Sequence, residues 1–305
     1  MYRFTLFDDG SLALRGKIDM PMPSYLAIER GLLYATLRAP FDDSRDSGYV
    51  AYSLESGERV TEIASTMGEV VADLAVSDGD VYCSNYITGS IFKSPDRLVF
   101  HKGQGTDPKR QTSPHVHTVR LSPDGRYLVA CDLGLDKVFV YDRELNYVSD
   151  ASVPSGSGAR HLVFSSSGDF VFVVNEMGGS VSSFAYSEGR LEYLDTVSVL
   201  PEGFLGVGSG AAIKLSRDGT RLYVTERASQ TIAVLSVNGG ELALVGRVDS
   251  HGREPRDFTL LAGDRFAVAT NQFENSVALF RISDDGVPVY YNSISLPSPL
   301  CALEE

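Results

Sequence analysis

Six stretches of this chain repeat one template, and the repetition constrains the fold more tightly than any bulk property. Each runs apolar residues into a turn that carries glycine, then a second apolar run ending in polar residues. A third run follows, closing on an aromatic or aliphatic side chain. The stretches start at Ser24, Ala72, His117, His161, Ala212 and Asp257. Counted from Tyr25 in the first, the spacings are 47, 45, 44, 51 and 45 residues, so 305 residues have room for seven units rather than six. Short runs rich in Val, Ile, Leu, Phe and Tyr read as strands. Asp78-Gly79, Asp124-Gly125 and Asp218-Gly219 supply the positive-φ residues that tight hairpins need. No helical periodicity of useful length interrupts them. A period in this range with four strands per unit predicts an all-β, seven-bladed β-propeller of four-stranded antiparallel blades.

Closing such a ring requires a seventh blade built from both termini. Pro299-Leu300-Cys301-Ala302-Leu303 aligns with the innermost strand of a blade, and Tyr2–Phe7 and Ser11–Ile18 align with two outer strands. The seventh blade is therefore expected to have three strands, leaving no free sheet edge. Without linkers, charge blocks or low-complexity tracts, residues 1–305 read as a single domain.

Composition removes several function classes. Lys+Arg number 27 against 40 Asp+Glu, a net charge of −13. Nucleic-acid binding needs basic surface to displace counterions, so it is not expected. A few local arginines can still bind a small anion inside an acidic body. No apolar run approaches the roughly 18–20 residues of a membrane span, and the first residues lack a signal-peptide layout, so a cytoplasmic protein is expected. The three cysteines, Cys83, Cys131 and Cys301, are widely spaced and read as buried apolar residues. Gly-x-Ser-x-Gly, P-loop, Cys-x-x-Cys and dinucleotide fingerprints are absent. So is tryptophan, and with it the WD-repeat signature.

In a blade whose strands a to d run outward from the channel, the start of a adjoins the end of b on one face of the disc. The starts of a carry Ser24, Asp73, His115 with His117, Arg160 with His161, and Arg256 with Asp257. The ends of b carry Asn85 with Tyr86, Asp132, Glu176, Glu226 with Arg227, and Asn271 with Gln272. Histidines and arginines distant in sequence thus converge on one mouth. His115 and His117 share a strand face, since side chains two apart point the same way. With Glu176 or Asp132 the pair also suits a metal, but a third histidine is missing and no metal is expected. Arg160 and Arg256 suit bidentate binding of a carboxylate or phosphate. Glu176 ends the apolar run Val171-Phe172-Val173-Val174-Asn175 and needs a partner, Arg160 or a histidine.

At these residues the chain resembles the 6-phosphogluconolactonases of the seven-bladed propeller type. The matching motifs are Pro114-His115-Val116-His117, Ser122-Pro123-Asp124-Gly125, Asp132-Leu133-Gly134-Leu135-Asp136 and Ala159-Arg160-His161. Asn175-Glu176-Met177, Glu226-Arg227, Pro255-Arg256-Asp257-Phe258 and Asn85-Tyr86 with Gly89-Ser90 complete the set, which spans about Ser24 to Phe280. The resemblance implies hydrolysis of the ring ester of a sugar lactone, without metal or organic cofactor. It implies a catalytic cluster carried onto His117 or His115, Arg160 and Glu176, with Arg256 holding the substrate. Asp132, His161, Arg227, Gln272 and Asn85 complete the candidate binding residues. Two departures stand out: Val70-Val71-Ala72-Asp73 replaces a common Pro-His in blade two, and Thr225-Glu226-Arg227-Ala228 replaces Ser-Asn-Arg-Gly in blade five.

The mechanism expected is attack by a water that an imidazole of ordinary pKa deprotonates, with Glu176 orienting the ring. Arg160 would face the tetrahedral oxyanion and Arg256 the phosphate or carboxylate. The expected partner is a small anionic sugar lactone, with the chain a monomer or homodimer. Two alternatives use the same mouth: a muconate-type cycloisomerase that forms lactones, and a non-enzymatic binding propeller.

Overall fold

The computed structural model describes residues 1–38 and 46–305. Six antiparallel sheets of four strands follow one another, each in simple a-b-c-d order. Blade one comprises Pro23–Glu29, Leu32–Leu37, Gly48–Ser53 and Ala64–Ser65, and blade two Val71–Ser77, Asp80–Asn85, Ser90–Lys93 and Arg97–Phe100. Blade three is Val116–Leu121, Tyr127–Asp132, Lys137–Asp142 and Tyr147–Ser152. Blade four is Ala159–Phe164, Phe170–Asn175, Ser180–Ser187 and Arg190–Ser198. Blade five is Gly210–Leu215, Arg221–Glu226, Thr231–Asn238 and Glu241–Asp249; blade six is Pro255–Leu261, Phe266–Asn271, Ser276–Ile282 and Pro288–Ser295. From blade one to blade six, each inner strand packs against the next, as sheets radiating from a channel must. Asp78 and Gly79 both hold positive φ, 56° and 88°, the backbone of a two-residue hairpin turn.

The core lies between blades, and strand alternation builds it. In the second strand of blade three, Leu128 and Ala130 join a cluster with Tyr82 and Ile91 of blade two. Val129 and Cys131 face the other way, into a cluster with Leu162, Val171, Val173 and Phe184 of blade four. This is period-two patterning with both faces apolar. Cys83 and Cys131 are buried, whereas Cys301 is half-buried. Among the described residues no helix is long and apolar enough to cross a membrane.

The seventh position departs from expectation. Tyr2–Leu6 and Leu12–Lys17 pair as a two-stranded sheet, but residues 299–303 form no strand. Pro297 and Pro299 remove two backbone donors there, which a ladder cannot spare. Side chains hold the segment instead. Asp257 Oδ2 accepts from Ala302 N at 3.0 Å, and Thr259 Oγ1 donates to the Ala302 carbonyl at 2.8 Å. Between the segment and strand Tyr2–Leu6 lies a mainly apolar gap of about 440 Å³.

Candidate functional site

Backbone register decides which side chains reach the channel mouth. In blade three, Val116 pairs with Asp132 and Thr118 with Cys131, leaving His117 as an extra residue. Arg160 is the extra residue in blade four, Arg256 in blade six and Ala72 in blade two. A bulge of this kind re-aims its additional side chain. All four line one cavity of about 190 Å³, joined there by Ser24, Tyr25, Arg38, Tyr86, Arg110, His161, Glu176, Arg227 and Leu300.

Glu176 anchors the charge distribution. Its Oε2 accepts from Arg160 Nε at 3.0 Å and lies 3.1 Å from Arg227 Nη2, and its Oε1 accepts from Arg110 Nη2 at 2.6 Å. Burial alone would push this carboxyl upward, but Arg227, Arg160 and Arg110 outweigh it and hold the pKa down to about 2. Arg160 also donates to the Ala211 carbonyl at 2.6 Å, and Arg227 Nη1 donates to Glu254 at 3.0 Å. Arg256, by contrast, has no hydrogen-bond or ion-pair partner among the described residues. Burial together with Arg160, Arg227 and Arg38 pushes its pKa down to about 9.

The imidazoles sit deeper than an ordinary titrating pair. Burial first, then Arg160 and Arg256, hold His117 well below the usual histidine range. Burial, Arg160 and His117 do the same to His161. Their ring centroids are 5.0 Å apart, with Tyr86 edge-on to His117 and Tyr25 edge-on to His161. Both rings are therefore neutral at pH 7, not partly charged as an unperturbed imidazole would be. Glu176 is taken up by arginines and makes no hydrogen bond or ion pair with either ring among the described residues, in place of the expected carboxylate–imidazole pairing. His117 Nδ1 is buried without a partner.

Of the ten site residues expected from sequence, the cavity gathers His117, His161, Arg160, Arg227, Arg256 and Glu176. The other four lie behind or beside it. His115 stacks on Tyr86 at 4.5 Å, with Nδ1 against the Tyr86 carbonyl. Asp132 is fully buried, bound to His101 Nδ1 at 2.6 Å and to the His115 and Leu135 amides. Asn85 donates to the Thr66 carbonyl at 2.9 Å, as Asn271 does to Ser250, so the end of strand b is a repeated tie to the loop before it. The Gln272 side-chain amide donates to Ser298 Oγ at 3.4 Å. Arg38, Arg110, Tyr25 and Tyr86 line the cavity without having been singled out as site residues. Arg38 follows Leu37 at the end of strand b in blade one, so the positional rule applied there would have found it. Arg110 sits in a long loop with no periodic signal. No three His, Cys, Asp or Glu side chains converge as a metal site among the described residues.

Comparison with known proteins matches residues 1–303 to the family described as lactonase, 7-bladed beta-propeller. A 6-phosphogluconolactonase of Bacillus subtilis is 31% identical over 92% of this chain and 86% of its own length. An uncharacterized protein of Lactococcus lactis is 33% identical over 85% of this chain and 80% of its own length. The periplasmic gluconolactonase of Pseudomonas aeruginosa superposes with a TM-score of 0.88 at 30% identity, covering 98% of this chain and 93% of that one. Radial sheets, an arginine–histidine basin and this end-to-end match converge: the chain belongs to the seven-bladed β-propeller lactonase family and is an enzyme of the lactonase kind.

Proposed function

We propose that this enzyme opens an anionic sugar lactone, 6-phosphogluconolactone foremost, in the cytoplasm and without a cofactor. One observation carries the reading: the cavity lining sets five arginines against one carboxylate, Glu176, with Glu254 pairing only Arg227 from outside it, and Arg256 has no ion-pair partner among the described residues. Uncompensated buried guanidiniums cost free energy unless an anion joins them. A phosphate between Arg256 and Arg38 meets that need and aims the lactone ring toward His117 and Arg160.

Neutral His117 then takes a proton from water as the water oxygen bonds to the lactone carbonyl carbon. The carbonyl oxygen becomes an oxyanion, faced by Arg160 and Arg227. Collapse breaks the bond to the ring oxygen, which leaves as an alkoxide and takes the proton back from the His117 imidazolium. Glu176 orients the arginines rather than the histidine. Substrate phosphate offsets the guanidinium field that disfavours the imidazolium, so the base works better with substrate bound than without it.

A pH-stat titration with 6-phosphogluconolactone and uncharged gluconolactone, each corrected for spontaneous opening, tests the reading. The phosphorylated lactone is expected to be preferred by about tenfold or more in kcat/KM, the scale of one charge-assisted hydrogen bond. Neither lactone opening above background, or cis,cis-muconate being cyclised instead, would refute it.

A further inference from the structure

In blades two to six, the residue just before the third strand stands at positive φ. These residues are Gly89, Asp136, Gly179, Gln230 and Asn275, with φ between 52° and 62°. Each carbonyl accepts from the segment that leaves the outer strand, as Gly89 does from His101 N, Asp136 from Val153 N and Gly179 from Val199 N. Glycine meets both needs in blades two and four, and it is the residue this backbone favours. The turn of blade three therefore has no local need of a carboxylate, yet it carries one.

That carboxylate is buried and joins two loops. Its Oδ1 accepts from Gln111 Nε2 at 2.7 Å and from Gly158 N at 2.6 Å, and its Oδ2 accepts from Gly156 N at 2.6 Å. Gln111 is fully buried and follows Arg110; its Oε1 accepts from the Thr106 and Asp107 amides, each at 3.0 Å. Gly158 lies two residues before Arg160, and its carbonyl accepts from the Glu176 amide at 2.8 Å. Arg110 and Arg160 then bond opposite oxygens of the Glu176 carboxylate. At the other end of the same turn, Asp132 accepts from the His115 amide at 2.8 Å. One five-residue turn thus grips the strand of His117 with its first carboxylate and the strand of Arg160 with its last.

We propose that Asp136 is a positioning residue for lactone opening: it sets the Arg160 guanidinium relative to Glu176 and His117 without lining the cavity itself. The inference rests on the reading that Arg160 faces the oxyanion. Small displacements of an aligned group are costly to the chemical step, so a fixed guanidinium serves kcat rather than KM.

Asp136→Gly tests this, because Gly89 and Gly179 hold the same turn without a side chain. Proton exchange at arginine Nε is followed by NMR on protein carrying isotope-labelled arginine, the Arg160 signal being the one missing from Arg160→Lys. Arg227 Nε, which donates to the Ser209 carbonyl at 3.0 Å, is the internal reference. Asp136→Gly is expected to speed exchange at Arg160 Nε about tenfold or more and to leave Arg227 Nε unchanged. In pH-stat assays with 6-phosphogluconolactone it should lower kcat about tenfold with KM within about twofold, on the scale of losing one aligned contact. Should Asp136→Gly fail to fold, Asp136→Asn gives the same comparison. Wild-type exchange at Arg160 Nε, or wild-type kcat, overturns the proposal whatever happens to the melting temperature. If the wild-type protein opens no lactone, the lactonase reading falls instead, and exchange at Arg160 Nε alone decides whether Asp136 positions that arginine.

Discussion

His117, Arg160 and Arg256 each occupy the one residue by which a strand exceeds its partner, so a single backbone irregularity converts three inner-strand residues into cavity groups. Losing the base or an oxyanion donor usually costs about 10²-fold or more. His117→Ala and Arg160→Ala are expected to lower kcat on that scale in steady-state assays. Arg256→Ala should act differently, raising KM for the phosphorylated lactone while leaving uncharged gluconolactone nearly unaffected. The histidines also make a pH prediction. His117 and His161 are held below the ordinary range in the folded state, so below about pH 6.5 the unfolded chain binds protons that the native chain refuses. Stability should fall as pH drops from 7 toward 5.5, with a slope of up to about 1.4 kcal/mol per pH unit for each ring. Urea titrations of His161→Phe should show roughly half the wild-type slope in that window.

Strand and turn chemistry makes most of the architecture legible in the sequence. Apolar runs, Asp-Gly hairpins and a fixed period determine six blades, because each depends on local residue types. The bulges are not written locally, since no residue type forces a strand to exceed its partner by one. Hence His115 and His117 looked equivalent in sequence, while the ladder turns only His117 into the cavity. Asn85 and Asp132 misled for the opposite reason: polar residues recur at the end of strand b because a buried tie to the preceding loop is needed in blade after blade. Gly134 shows how closely such elements fit. A Cβ there would stand 2.0 Å from the Ser113 carbonyl and 2.9 Å from the His115 amide, backbone atoms that lead directly into His117. Gly134→Ala is expected to destabilise the protein by about 1–3 kcal/mol, as overpacking does, and to lower kcat as well. Asn85→Ala, by contrast, should lower the melting temperature and leave kcat unchanged.

Across the whole molecule, the six regular blades share interlocking apolar clusters, whereas the junction between first and last blades relies on a two-stranded sheet and a few side-chain contacts. Asp257 carries much of that junction, accepting from Ala302 N while Lys214 lies 3.7 Å away. Asp257→Ala removes the acceptor and leaves the Lys214 charge without it, so a lower melting temperature is expected in thermal scans. The overall charge of −13 surrounds a positively charged basin, an arrangement that net composition concealed and only the meeting of distant strands created. The two-stranded junction also sets how the molecule breathes. Its two strands share one ladder, whereas the inner strands of the flanking blades lie in four-stranded sheets. Deuterium uptake should therefore begin at Tyr2–Leu6 and Leu12–Lys17 and spread to the flanking blades, while amides in blades three to five stay protected until global unfolding.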